Sequence, residues 1–321
     1  MSISLSGSWT PVIRAVSTVL LAQMLSVPGV ASSSGSVRQQ SNLADVDVVN
    51  LADVDVVIVA HADDWQVFMG DAIVERIRSG HRPVLIYLTA GDHGREGTYW
   101  RQREAAAMQS TRVALGSTNI PAQCDSAFVN AHQIAHCRLG WSESYFLRLP
   151  DGNRNGAGFA RNRFESMRKL RSGRLHSIIA VDSSTRYASW QDLSATVSML
   201  ARMVADSAHS RVIIHTTDPS IRVNPHDHYD HRMAGKLTES LLNANGWVGR
   251  YYVGYALAMR APNRTTLQQQ EKTGVFSAYD REMMLINPAW SAYREHPRFY
   301  ADCMERTYSR SAIARVVGSR R

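Results

Sequence analysis

The stretch "VVIVAHADDWQVFMGD", Val56 to Asp71, decides how this sequence is read. With Val54, its opening residues form an apolar, largely β-branched run without polar alternation, which predicts a strand buried on both faces. The run ends on His61, Asp63 and Asp64, three groups that are costly to bury without partners. Beyond them Phe68, Ile73 and Ile77 recur at helical spacing, and Gly80 stops the pattern. A buried strand that delivers an imidazole and two carboxylates to the start of a helix puts them where parallel sheets place their ligands, outside the carboxyl ends of the strands.

The alternation continues downstream. "RPVLIYLTAGD" (82–92) predicts a second buried strand, and "YWRQREAAAMQSTRVALG" a helix with alanines on its inner face, ended by Gly116. A less regular region follows, with "SYFLRLPDGN" as a short strand and "GNRNGAGFARN" as a loop. "DLSATVSMLARMVADS" predicts an amphipathic helix with Asp192 as its N-cap, and "RVIIHTT" a third buried strand. "DHRMAGKLTESLLNAN" then gives a helix and "GRYYVGYAL" a strand. The expected class is α/β: a Rossmann-like, mostly parallel sheet with helices on both faces and a metal site at the carboxyl edge of the strands.

At 321 residues and 44% hydrophobic, the chain can bury one substantial core, expected over residues 54–321. Residues 1–35 have the layout of a leader: Arg14, the interrupted apolar run "AVSTVLLAQMLSVPGVA", then small residues. A bilayer span takes about 20 apolar residues, so this run predicts a signal peptide and no stable membrane anchor. The expected location is secreted, periplasmic or cell-surface, with the cytoplasm as the alternative if the leader is not a signal. Residues 36–53 read as a linker holding an exact duplication, "NLADVDVV" at 42–49 and again at 50–57. Of three cysteines, Cys124 and Cys137 are spaced for a loop disulfide, which leaves Cys303 unpaired. The net charge of +8 comes from scattered arginines without an aromatic-interleaved groove, so nucleic acid is not an expected partner. Protein partners leave no mark.

A catalytic zinc takes three protein ligands and keeps one position open. His61 and Asp64, at i and i+3, point the same way from a turn entering a helix, while Asp63 points elsewhere. The third ligand is expected from "NPHDHYDHRMAG", which packs His226, His228 and His231 with Asp227 and Asp230 after the third buried strand. Zinc lowers the pKa of bound water from about 15.7 to about 7, and a nearby carboxylate off the metal, Asp63, is suited to take the proton. A histidine opposite, oriented by an aspartate, suits protonation of a leaving amine. A nucleotide-binding Rossmann reading fails at the first strand, because "AHADDWQVFMG" lacks G-x-G-x-x-G and its carboxylates would repel a pyrophosphate.

"AHADD" after a hydrophobic strand and the later "HYDH" resemble the two metal blocks of the PIG-L/LmbE-type family of zinc-dependent N-acetylglucosaminyl deacetylases. "TAGDHGREGTYWRQREAAAM" and "FLRLPDGN" extend the resemblance across roughly Val54 to Leu257. It implies Zn²⁺ held by His61, Asp64 and His231, with Asp63 as general base. It also implies that His228 stabilises the oxyanion and protonates the amine, with Asp230 orienting it. Arg101, in an RxxE pattern with Glu104, is expected to touch substrate. Ala62 replaces the usual proline, and Trp65 stands where an acidic residue commonly follows, so it is expected to shape the sugar pocket. His226 leaves a second register open for the third ligand. The implied substrate is an N-acyl amino sugar, free or in a glycoconjugate. The rival readings are the same zinc fold acting on another amide or ester, and a non-catalytic carbohydrate-binding relative.

Overall fold

Val54, Val56, Val57, Ile58 and Val59 are wholly enclosed, as a strand with no polar alternation requires. They belong to β1 (Asp53–Val59), the first strand of the computed structural model, which describes residues 53–206 and 211–313. The leader read over 1–35 and the first copy of the duplication lie outside the described residues.

The element order is β1, α1 (Asp64–Arg78), β2 (Arg82–Thr89), α2 (Tyr99–Ala114), β3 (Ala122–Val129), β4 (His132–Leu139) and β5 (Ser142–Leu149). There follow α3 (Met167–Arg171), β6 (Ile178–Ile179), β7 (Arg186–Tyr187), α4 (Trp190–Asp206), β8 (Arg211–Thr217), α5 (Tyr229–Asn245) and β9 (Val248–Tyr252). The chain closes with α6 (Thr266–Ile286), α7 (Ala292–Glu295), α8 (Pro297–Met304) and β10 (Ser309–Ile313).

Eight strands form one sheet in the order β10-β9-β8-β1-β2-β5-β4-β3. Its centre is parallel: β9 with β8, β8 with β1, β1 with β2, and β2 with β5. Alternation along β1 sorts its side chains between two cores. Val54, Val56 and Ile58 join Leu193, Val197 and Leu200 of α4 and Leu237 and Leu241 of α5. Val57 and Val59 join Phe68 and Ile73 of α1, Ala106 and Ala107 of α2, and Val275 and Phe276 of α6. Helices thus cover both faces, as a parallel sheet demands. No helix among the described residues is long and apolar enough to cross a membrane.

Two departures from the sequence pattern are informative. The region read as irregular before β5 holds two more strands, and β3–β4–β5 is an antiparallel meander at one edge. β3 is exposed along nearly its whole length, so no apolar run marks it. Cys124 and Cys137 face each other across β3 and β4 and are disulfide-bonded, while Cys303 is free and buried. The segment read as one strand, "GRYYVGYAL", is β9 followed by a 3-10 turn over Tyr255–Met259. That turn begins a long excursion through α6, α7 and α8 before β10 returns antiparallel to β9.

Candidate metal centre and active site

β1, β2, β5 and β8 all end on the same side of the sheet, and the loops that leave them carry the polar residues of the site. β1 runs directly into His61, and Asp64 opens α1. The loop after β8 reaches α5, whose N-cap is His228 and whose first turn holds Asp230 and His231. The loop after β5 brings Asp151.

His61, Asp64 and His231 are brought together and buried. His61 Nδ1 lies 3.2 Å from His231 Nε2 and 3.4 Å from Asp64 Oδ1, and His231 Nε2 lies 3.1 Å from Asp64 Oδ1. A tetrahedral zinc with bonds of about 2.0–2.2 Å sets its ligand atoms about 3.3 Å apart, so this triangle has the size of one face of such a site. Two of the three side chains are held from behind. The His61 N–H donates to Asp64 Oδ2 at 2.8 Å, and His231 Nδ1 meets Asp227 Oδ1 at 2.9 Å, leaving Nε2 to face the cluster. Burial works against charge here, yet Asp64 and Asp230 hold the His61 imidazole well above its ordinary pKa. His231 is pushed up to about 10 despite its burial, chiefly by Asp64 and Asp227. Asp64 is held well below the usual carboxylate range by His231 and His61, which outweigh its burial. Buried carboxylates and imidazoles set this close to one another are an environment that a dication suits.

A second buried group overlaps the first: His61, Asp151, His228 and Asp230. His228 Nδ1 accepts the Asp230 N–H at 3.1 Å, so the neutral ring carries its proton on Nε2, which faces Asp151 Oδ1 at 3.7 Å. Burial, with His61 beside it, pushes the His228 pKa down to about 2. The Asp230 carboxylate stands 3.8 Å from His228 Nδ1 and accepts instead from the Gly152 N–H at 2.7 Å. What orients His228 is therefore the backbone of Asp230 and not its carboxylate, a correction to the expected pairing. A Cβ at Gly152 would sit 2.4 Å from Asp230 Oδ1, so only glycine lets the chain approach that closely.

The side chain of Asp63, the N-cap of α1, makes no hydrogen bond to its own helix, although its carbonyl accepts the Val67 N–H at 3.2 Å. Its Oδ1 accepts from Arg103 Nη2, and Arg103 Nη1 donates to the Gly91 carbonyl at 3.1 Å. The carboxylate holds the buried guanidinium firmly protonated against the cost of its burial.

The structure does not bring the two expected substrate contacts to the cluster. Arg101 is exposed and stacks 4.7 Å over the Trp100 ring, while Glu104 pairs with Arg148. Side chains two positions apart on a helix diverge by about 200°, so Arg101 and Arg103 lie on opposite sides of α2. Arg103 shares its face with Ala106 and Ala107, and those alanines were the available signal. Trp65 is 1% exposed, and its Nε1–H donates to Tyr87 Oη at 3.0 Å, so it is a core residue and not a wall of the cavity beside the cluster. His226 is exposed and belongs to neither group, whereas His231 lies in the first.

The cluster forms the floor of a cavity of about 750 Å³. One wall, made of Tyr255, Trp290, Phe299 and Tyr300, comes from the excursion after β9; its contributors are far apart in sequence and left no readable pattern. His93, Arg95 and Arg154 also line the cavity.

A family model described as GlcNAc-PI de-N-acetylase, PIG-L, matches residues 56–242. Three solved structures resemble the chain in fold. An N,N'-diacetylchitobiose deacetylase from Pyrococcus horikoshii is 15% identical, with 81% of this chain and 83% of that one covered at a TM-score of 0.44. A conserved protein from Thermus thermophilus is also 15% identical, covering 82% and 94% at 0.41. The zinc-inhibited form of a teicoplanin deacetylase is 11% identical, covering 82% and 97% at 0.43. No curated protein matches the chain. The α/β sheet, the paired histidine–aspartate blocks and a family match over more than half of the sequence lead to one statement: the chain belongs to the PIG-L (GlcNAc-PI de-N-acetylase) family.

Proposed function

We propose that this protein is a zinc-dependent hydrolase that removes the acetyl group from the nitrogen of an N-acyl amino sugar, free or in a conjugate. Family membership supports the reaction class. The observation that carries the reading is the triangle of His61 Nδ1, His231 Nε2 and Asp64 Oδ1, with sides of 3.1–3.4 Å, beside which Asp63 stands without joining it.

Bound there, zinc supplies Lewis acidity, lowering the pKa of its water from about 15.7 to about 7. Asp63 takes the proton of the attacking water on Oδ2, the oxygen that Arg103 leaves free. The water oxygen forms its bond to the acyl carbon, and His228 offers its Nε2–H to the oxygen that gains negative charge. As the C–N bond breaks, the proton on Asp63 passes to the nitrogen, giving acetate and the free amine; this role moves from His228, where the resemblance put it, because burial keeps that ring neutral. The aromatic wall of Tyr255, Trp290 and Tyr300 supplies flat apolar faces against which a sugar ring packs.

An exported location remains part of this proposal; the leader motivates it, and a Cys124–Cys137 disulfide suits an oxidising compartment. The test is acetate release from a panel of N-acetylglucosamine conjugates, with and without chelator. Release that stops with chelator and returns with zinc is expected. Release indifferent to metal, or none from any N-acyl sugar, overturns the reading.

A further inference from the structure

Two side chains of the ligand triangle have anchors: Asp64 takes the His61 N–H at 2.8 Å, and His231 Nδ1 meets Asp227 Oδ1 at 2.9 Å. The third, the His61 ring, has none. Its Nδ1 faces the triangle, 3.2 Å from His231 Nε2 and 3.4 Å from Asp64 Oδ1. Its Nε2, on the far side of the ring, is buried with no hydrogen-bond partner. A neutral imidazole that offers Nδ1 to a metal carries its proton on Nε2, and that N–H needs an acceptor. Left without one in the interior, it is costly.

The carboxylate of Asp230 faces this nitrogen, with Oδ2 at 3.6 Å. Asp230 is wholly buried; its Oδ2 accepts the Gly152 N–H at 2.7 Å, and its Oδ1 has no partner. A carboxylate has about four acceptor positions, so one bond leaves capacity to spare. His228 does not claim that capacity. Its Nδ1 lies 3.8 Å from Oδ2 and already accepts the Asp230 N–H, so it has no proton to give there. Asp151, the other carboxylate of this group, faces His228 Nε2 at 3.7 Å. Donor and acceptor are thus both unsatisfied, both buried and side by side. The gap exceeds a formed bond by about 0.6 Å, which a modest turn of the ring removes.

We infer that the Asp230 carboxylate is the positioning partner of His61. It keeps that ring's proton on Nε2 and so leaves Nδ1 open to a metal, as Asp227 leaves Nε2 of His231 open. One residue then serves two histidines through separate groups: its main chain fixes His228 and its side chain fixes His61. Gly152 makes the arrangement possible, since a Cβ there would meet Asp230 Oδ1 at 2.4 Å. The inference rests on the metal reading of the cluster and is independent of the substrate.

The test is zinc affinity, measured by chelator competition on the full chain. Asp230→Asn removes the carboxylate that faces His61 yet keeps the main-chain N–H that caps His228. It should weaken zinc binding about 10- to 100-fold, and the activity it loses should return when zinc is added in excess. Asp227→Asn, behind the other imidazole, should weaken zinc by a similar factor. Gly152→Ala keeps the charge of Asp230 but displaces the carboxylate, and should cost about tenfold in zinc affinity. In the zinc-loaded protein, the His61 Nε2–H proton resonance should move upfield in Asp230→Asn. Zinc affinity within about twofold of native in Asp230→Asn overturns the assignment, and Gly152→Ala is held to the same limit if that variant does not fold. An unmoved His61 resonance, or a native protein that takes up no zinc, overturns it as well. Lost activity that excess zinc does not restore would return the carboxylate to His228. Acetate release reads the other proposal separately: Asp230-dependent zinc binding in a protein that releases no acetate keeps this assignment and sinks the deacylase.

Discussion

The two helices that open on the site, α1 and α5, begin with functional residues used in opposite ways. Asp63 and His228 occupy the same structural position, the N-cap, where a side chain ordinarily accepts a hydrogen bond from the first turn. His228 does this, taking the Asp230 N–H on Nδ1, and the cap itself fixes the ring's tautomer. Asp63 does not; its carboxylate turns away from α1 to Arg103 and the cavity. At the start of α5, stability and chemistry share one hydrogen bond. At the start of α1 the helix gives up its cap so that a carboxylate stays available. The pairing teaches that removing the two residues should have different stability signatures even where both reduce turnover.

The largest effect expected is at neither cap. His231→Ala opens the ligand triangle, so metal analysis should show loss of the bound zinc and activity should fall to background. Retained metal and turnover would mean that the triangle is not the metal site. Next comes Asp63→Asn, which should cut kcat by about 10²–10⁴ with metal content kept and little change in melting temperature. His228→Ala should lower kcat by about 10² and also cost about 1 kcal/mol of stability, measured by denaturant unfolding, because the cap goes with it. Equal stability losses in the two cap variants would erase the contrast. Arg103→Gln removes the partner of Asp63 and should lower kcat about tenfold, with KM nearly unchanged. The smallest effects belong to the residues displaced from the site. Trp65→Phe should cost about 1 kcal/mol through its lost bond to Tyr87, and Arg101→Ala should leave KM within about twofold. A large KM rise in either would return that residue to the substrate.

The buried strands and both histidine–aspartate blocks were legible because each rests on a local rule. An unbroken apolar run such as Val54–Ala60 has one reading, and His61 and Asp64 sit at fixed spacing after it. What was not legible depends on direction or distance. Arg101 and Arg103 differ by half a helical turn, which a motif does not record but the alanine face of α2 does. Trp65 follows Asp64 in sequence yet points into the core against Tyr87, since neighbours on a helix diverge by about 100°. β3 escaped because an exposed edge strand held by pairing and a disulfide needs no apolar signature. Asp151 joins His228 only once β5 and β8 lie in one sheet.

The aromatic wall of the cavity has a consequence for how such a protein is altered. The family match ends at residue 242, whereas Tyr255, Trp290, Phe299 and Tyr300 all lie beyond it. The histidine–aspartate cluster thus lies on one length of the polypeptide and this wall of the cavity on the next, while His93, Arg95 and Arg154 line the cavity from the first. A library of substitutions confined to 255–300 would vary this wall while every residue of the histidine–aspartate cluster stays as it is.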